Sequence, residues 1–142
     1  MNTFKPGLGV TLAGLLLGST GASAHHSDAE FDIGNCVSVS GTVRTLEWVY
    51  PHTWLWIYAP GKDGPMTVWG FEFPSPTQTI NLDRKWSRTA VVKGDRVTVS
   101  YSPLKDGRPG GWMHSVTRAD GSVLAGAPGR CERSVPIAPT GP

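Results

Sequence analysis

Cysteine, net charge and long apolar runs are all scarce in this sequence, and each scarcity removes a class of protein. The 142 residues include two cysteines, Cys36 and Cys131, too few for a disulfide-dense scaffold, and they form no C-x-x-C motif. The most apolar stretch, residues 8–17, falls short of the roughly 20 residues of a spanning helix, so no membrane span is expected. Lys and Arg number 13 against 11 Asp and Glu, and the one basic cluster (Arg84, Lys85, Arg88, Lys93) is interrupted by Trp86. A phosphate-tracking surface shows instead as a basic excess on one face, so nucleic acid is not an expected partner. Also missing are G-x-S-x-G, H-E-x-x-H and a glycine-rich phosphate loop. The carboxylates Asp28, Glu30 and Asp32 read as part of a solvated arm, and nothing marks the chain as an enzyme.

What is present begins with an export signal. Lys5 supplies the positive charge, residues 8–17 the apolar core, and Ala22-Ser23-Ala24 an A-x-A cleavage site. Residues 1–24 are therefore expected to be removed, leaving a periplasmic or secreted domain that starts at His25. In such a compartment Cys36 and Cys131, near the two ends of the mature chain, read as one disulfide. Closing so long a loop removes on the order of 4 to 5 kcal/mol of unfolded-state entropy in the chain-entropy treatment.

The mature chain divides into an arm (residues 25–35), a folded domain (36–124) and a Gly/Pro-rich tail (125–142) tethered at Cys131. The arm has Phe31 and Ile33 as its only sizeable apolar anchors. Val37, Val39, Gly41, Val43 and Thr45 alternate with Ser38, Ser40, Thr42, Arg44 and Leu46, the period of a half-buried strand. Tyr50-Pro51-His52 makes a bend, because proline lacks the N–H a ladder needs. Over residues 53–58, Leu55 and Ile57 are expected inside, with Trp54, Trp56 and Tyr58 on the outer side. Gly61 to Pro65 is a turn, residues 66–73 return as a third strand, and Ser75-Pro76-Thr77-Gln78 is a capping box with proline at the first helical position. A helix from Pro76 to about Arg84 is expected, then strands over residues 96–101 and 112–118 and a hairpin return at 122–124. The predicted class is all-β: a small five-stranded OB-fold-like barrel with one short helix between strands 3 and 4.

Several motifs occur together in a fixed order: A-H-H-S at Ala24 to Ser27, E-W-x-x-P-H at Glu47 to His52, W-x-x-E at Trp69 to Glu72, Ser75-Pro76, and W-S-R-x-x-x-x-K-G-D at Trp86 to Asp95. In these the chain resembles a family of small exported proteins of Gram-negative bacteria, domain of unknown function 6152. The resemblance covers residues 25–124 and implies an OB-like barrel behind a signal peptide, with no activity or ligand attached. Tyr50 stands where the family pattern has asparagine, the helix is about two residues longer, and the cysteine pair with its long tail is an addition.

Two binding sites are legible. Cleavage after Ala24 makes His25 the first residue, so its amine and imidazole can chelate one ion, with His26 beside it and His52 as a third ligand. Such a nitrogen set suits Cu(II) best among divalent metals. Met113, His114 and Glu72 stand behind His52 as further candidates, although His114 reads as a surface residue. A flexible His-His arm without metal is the competing reading. The second site is an aromatic platform for a small molecule, glycan or peptide, built from Trp54, Trp56 and Tyr58 with Trp48, Trp69 and Glu72. Its competitor has the tryptophans covering the ends of the barrel. A carboxylate among Trp69, Phe71 and Phe73 is costly to bury alone, so Glu72 is expected to have a partner such as an arginine or a histidine.

Overall fold

The computed structural model describes residues 28–127, together with Met1. The expected export signal, His25, His26, Cys131 and the residues after Ala127 lie outside the described residues. A single turn of 3-10 helix (Asp28–Glu30) leads into β1 (Val37–Glu47), β2 (Thr53–Pro60), β3 (Met66–Phe73), α1 (Pro76–Leu82), β4 (Arg96–Pro103), β5 (Gly110–Arg118) and a short β6 (Val123–Ala125).

Five strands close on themselves. β1 pairs antiparallel with β2 and β4, β2 with β3, and β4 with β5, while β3 and β5 run parallel and complete the ring. The circular order 1-2-3-5-4, with the helix between β3 and β4, is that of the OB-fold. Closure depends on glycine. Gly70 lies opposite Gly110 in the parallel pair, and a Cβ on Gly110, whose φ is +137°, would stand 2.0 Å from the Gly70 carbonyl oxygen. Side chains at that crossing would hold the two strands apart.

The barrel interior follows the two-residue period. Thr53, Leu55, Ile57 and Ala59 of β2, Phe71 and Phe73 of β3, Val97 and Val99 of β4, and Met113 and Val116 of β5 are buried. Two register shifts defeat strict alternation. The first, in β1 between Val43 and Thr45, adds a residue at Arg44. Leu46, expected outside, therefore packs against the core. The second, opposite Ser100 and Tyr101, adds a residue to β5 at His114 and leaves Met113 fully enclosed, so Met113 is a core residue and no metal ligand.

The helix is capped as expected, with Ser75 and Gln78 forming both halves of the box. It ends at Leu82, two residues short of Arg84. Asp83 turns extended, and its carboxylate accepts the N–H of Lys85 at 3.0 Å and of Ala125 at 3.1 Å, fastening the helix end to β6. The backbone bond from Lys85 holds the Asp83 carboxyl below its usual range.

His114 is a second correction, because it is buried and not on the surface. Residues after β6 continue as a strap over β5, with Gly126 N–H on the His114 carbonyl at 2.7 Å and Ala127 N–H on that of Met113 at 3.3 Å. Under this strap the imidazole is satisfied at both nitrogens. Nδ1–H donates to the Ala127 carbonyl at 3.3 Å, and Nε2 accepts from Ser102 Oγ at 2.9 Å. Burial pushes its pKa below the ordinary histidine value, partly opposed by the Ala127 carbonyl. The unfolded chain therefore takes up the proton first as pH falls. The stability of the neutral imidazole is complete above about pH 6.5 and is lost as pH drops from there through the folded-state value. Urea midpoints measured across that window should fall with pH, and His114→Gln should flatten the slope.

Candidate functional site

The outer face of β2 and β3 is where the candidate residues meet, and its geometry starts from cross-strand pairing. Trp54 lies opposite Glu72 and Trp56 opposite Gly70. With no side chain on Gly70, the Trp56 ring lies against the β3 backbone; a Cβ there would be 2.4 Å from Trp56 Cζ3. Trp54 stacks beside it, with ring centroids 5.5 Å apart and planes 13° off parallel. Both indoles are half-buried.

The arm closes one side. Phe31 bridges to Leu104, and flanking backbone bonds run from Asp32 N–H to Pro103 at 2.8 Å and from Lys105 N–H to Glu30 at 2.9 Å. The Phe31 side chain is buried, with its ring 5.7 Å from that of Trp112. Arm, β2–β3 face and the β4–β5 loop enclose a cavity of about 320 Å³, bounded by Phe31, Trp54, Trp56, Glu72 and Arg108 with Gly70 at its base. Strands 2 and 3 and the loop between strands 4 and 5 are the surfaces with which OB-folds hold ligands.

Glu72 connects this cavity to the bend before β2. Its side chain is almost fully enclosed, at 6% exposure, and its Oε1 accepts a hydrogen bond from His52 Nδ1. His52 is thus the partner that the isolated carboxylate required. The imidazole also stands edge-on to Trp112, with centroids 6.1 Å apart, so Trp112 touches both the arm and His52. With Nδ1 engaged by a carboxylate, Nε2 is the nitrogen that His52 would offer to a metal, the carboxylate–histidine arrangement by which ligating imidazoles are oriented. Among the described residues no three His, Cys, Asp or Glu side chains converge as a metal site. The other expected ligands, His25 and His26, lie outside the described residues.

The aromatic row is divided. Trp48, expected on the platform, is instead 8% exposed and belongs to the core, stacked on Trp86 with centroids 6.3 Å apart. Trp69 packs inward against Phe71 and Tyr101. Tyr58 is 41% exposed but lines a separate concavity with Met66, Arg96 and Arg118. Trp54 and Trp56 alone remain beside Glu72. Arg108 and Trp112 were not singled out by sequence, and Phe31 only as an apolar anchor of the arm, since nothing in the chain marks which loop and which arm residue will face a given strand.

Cys36, just before β1, has its Sγ 3.4 Å from Ser100 Oγ, while the other half of the expected disulfide, Cys131, is outside the described residues. No helix among the described residues is long and apolar enough to cross a membrane. No curated protein and no solved structure matches the chain. The model of one family, described as a family of unknown function (DUF6152), matches residues 13–113, and the chain belongs to that family.

Proposed function

We propose that this is an exported binding protein whose working surface is the outer face of β2 and β3, with a divalent metal, Cu(II) first, bound at its His52 end. The observation that supports this reading is the bond between the buried Glu72 carboxylate and His52 Nδ1. It orients the ring, and on this reading a metal would be met by Nε2. The remaining nitrogens would come from the amine and imidazole of His25 and from His26. The arm is rooted at the right place for this, since Phe31 packs on Trp112 and Trp112 on His52. Between Phe31 and His25, Asp28–Glu30 form the 3-10 turn and rise only about 2 Å each, so even with residues 25–27 fully extended at about 3.3–3.6 Å each the arm reaches at most roughly 16 Å. A lone His-Glu pair binds little by itself, so the reading requires the mature N-terminus.

The test begins with intact mass of the exported protein, which shows whether it starts at His25 and whether Cys36 and Cys131 have lost two hydrogens to a bridge. Copper titration followed by spin resonance should then give one Cu(II) per chain with nitrogen hyperfine structure. Glu72→Gln should weaken binding by about 10- to 100-fold, the usual effect of removing a carboxylate that orients a ligating histidine. Copper uptake that survives alanine at both His25 and His26 would rule the site out.

A second reading is favoured by the cavity of about 320 Å³ beside the same carboxylate. Its size falls within the range of small-molecule pockets, and two parallel indoles form one wall. On this reading the protein holds an organic ligand against Trp54 and Trp56, with or without a metal at His52.

A further inference from the structure

We infer that the cavity between Trp54, Trp56 and Phe31 takes an organic ammonium ion, its charged head against the Glu72 carboxylate and its alkyl surface on the indoles. This rests on the small-ligand reading above and goes beyond it by assigning a chemical class. Three features of the lining carry the assignment.

The charges come first. Glu30 and Glu72 both border the cavity, and the one cationic side chain there, Arg108, is already held by Asp106 through an Nε–Oδ2 bond of 2.6 Å. With Arg108 offset by Asp106, the balance of charge facing a ligand is negative even with His52 bonded to Glu72. An anion would meet two carboxylates, and no second cation borders the cavity to offset them.

Hydrogen-bonding capacity comes second. A neutral sugar needs donors and acceptors alternating around its hydroxyls. The acceptors here are two carboxylates, and the side-chain donors are the buried Trp56 indole N–H, which has no partner among the described residues, and the Arg108 guanidinium, whose Nε is held by Asp106, so a sugar is the competing ligand. An ammonium head asks for acceptors or for negative charge alone. Glu72 has its Oε1 on His52, and among the described residues no hydrogen bond occupies Oε2.

The aromatic geometry is third. Trp54 stands directly across from Glu72 in the β2–β3 register, so an indole and a carboxylate flank one spot from adjacent strands. Phe31 brings a third ring from the arm. Cations held between aromatic faces and a carboxylate are attracted by the ring quadrupoles, and tryptophan is the strongest of the three ring types. Glycine at position 70 lets the Trp56 ring lie against β3 at the edge of the cavity, since a Cβ there would stand 2.4 Å from Trp56 Cζ3.

Choline is a suitable probe, compared with its uncharged isostere 3,3-dimethylbutan-1-ol and with glucose, each titrated into the full mature chain by calorimetry and tryptophan fluorescence. Choline should bind with one site per chain and at least about tenfold more tightly than the isostere, in line with desolvated cation–π pairing. Trp54→Ala should weaken it about tenfold on the same grounds. Glu72→Gln should do likewise, and Glu30→Gln, an exposed change that leaves the core intact, should weaken it to a lesser degree. If Glu72→Gln fails to fold, the Glu30 and Trp54 variants still decide the matter. Equal binding of choline and the isostere would overturn the ammonium assignment while leaving a small-ligand pocket. Preference for glucose would overturn it in favour of a glycan. Binding of none of the three would overturn both the assignment and the pocket, and would leave copper uptake at His25 and His26 as a separate result.

Discussion

Alanine at Gly110 should destabilise the domain by about 3 kcal/mol or more, the largest effect expected of so small a change. Gly110 holds φ at +137°, a conformation essentially confined to glycine, where other residues carry strain of about 1–3 kcal/mol. The added Cβ would also sit 2.0 Å from the carbonyl oxygen of Gly70, a backbone atom with no rotamer to escape into. Relief requires β3 and β5 to part, and their three paired positions, Gly70 to Glu72 against Gly110 to Trp112, are what close the barrel. Parting them would also widen the cavity under Trp56. Chemical denaturation should show a lower midpoint, and hydrogen exchange should show lost protection across Gly70 to Glu72. If Gly110→Ala denatures like the parent protein, the closed barrel is wrong at this seam.

Phe71→Ala should cost about 3–5 kcal/mol, the usual range for a buried phenylalanine. The side chain is fully buried, its ring 5.0 Å from Tyr101 and 6.4 Å from Trp69. Removing it leaves a void bordered by rings whose strands are fixed by closure, so the space cannot collapse easily. For a domain of about 100 residues the loss corresponds to a fall in Tm of roughly 20 °C. Phe71→Leu, which keeps most of the volume, should lose much less. The same experiment separates fold from function, because Phe71 faces inward while its neighbours Gly70 and Glu72 face the cavity. A Phe71→Leu protein that remains folded should bind copper and choline as the parent does.

The two-faced character of β2 was fully legible in the chain. Thr53 to Ala59 alternate strictly, and a strand packed on one side must bury every second residue, which put Leu55 and Ile57 inside and Trp54 and Trp56 outside. The capping box before α1 was equally readable, since its bonds span only three residues. Local chemistry of this kind is written in adjacent positions and needs no knowledge of the rest of the molecule.

Where strands carry an extra residue, alternation fails without warning. The register shifts in β1 and β5 turned Leu46 inward and left Met113 without access to solvent, because a one-residue slip exchanges the two faces of a strand. Gly110 and Gly111 read as loop residues, since glycine is depleted in strands. They are strand residues because β3 passes too close for any side chain. His114 gave no sign of burial either, as the strap that covers it arrives from residues 126 and 127.

By itself, then, the sequence determined the class of fold, the order of its elements and the need of Glu72 for a partner, since each rests on local periodicity, capping or the cost of a buried charge. Only the tertiary structure decided that the partner is His52, that Trp48 belongs to the core and Trp69 packs against it, and that Phe31 and Arg108 border the same cavity as Trp54 and Trp56. Those facts depend on barrel closure, which brings together residues far apart in the chain through pairings that no short window contains.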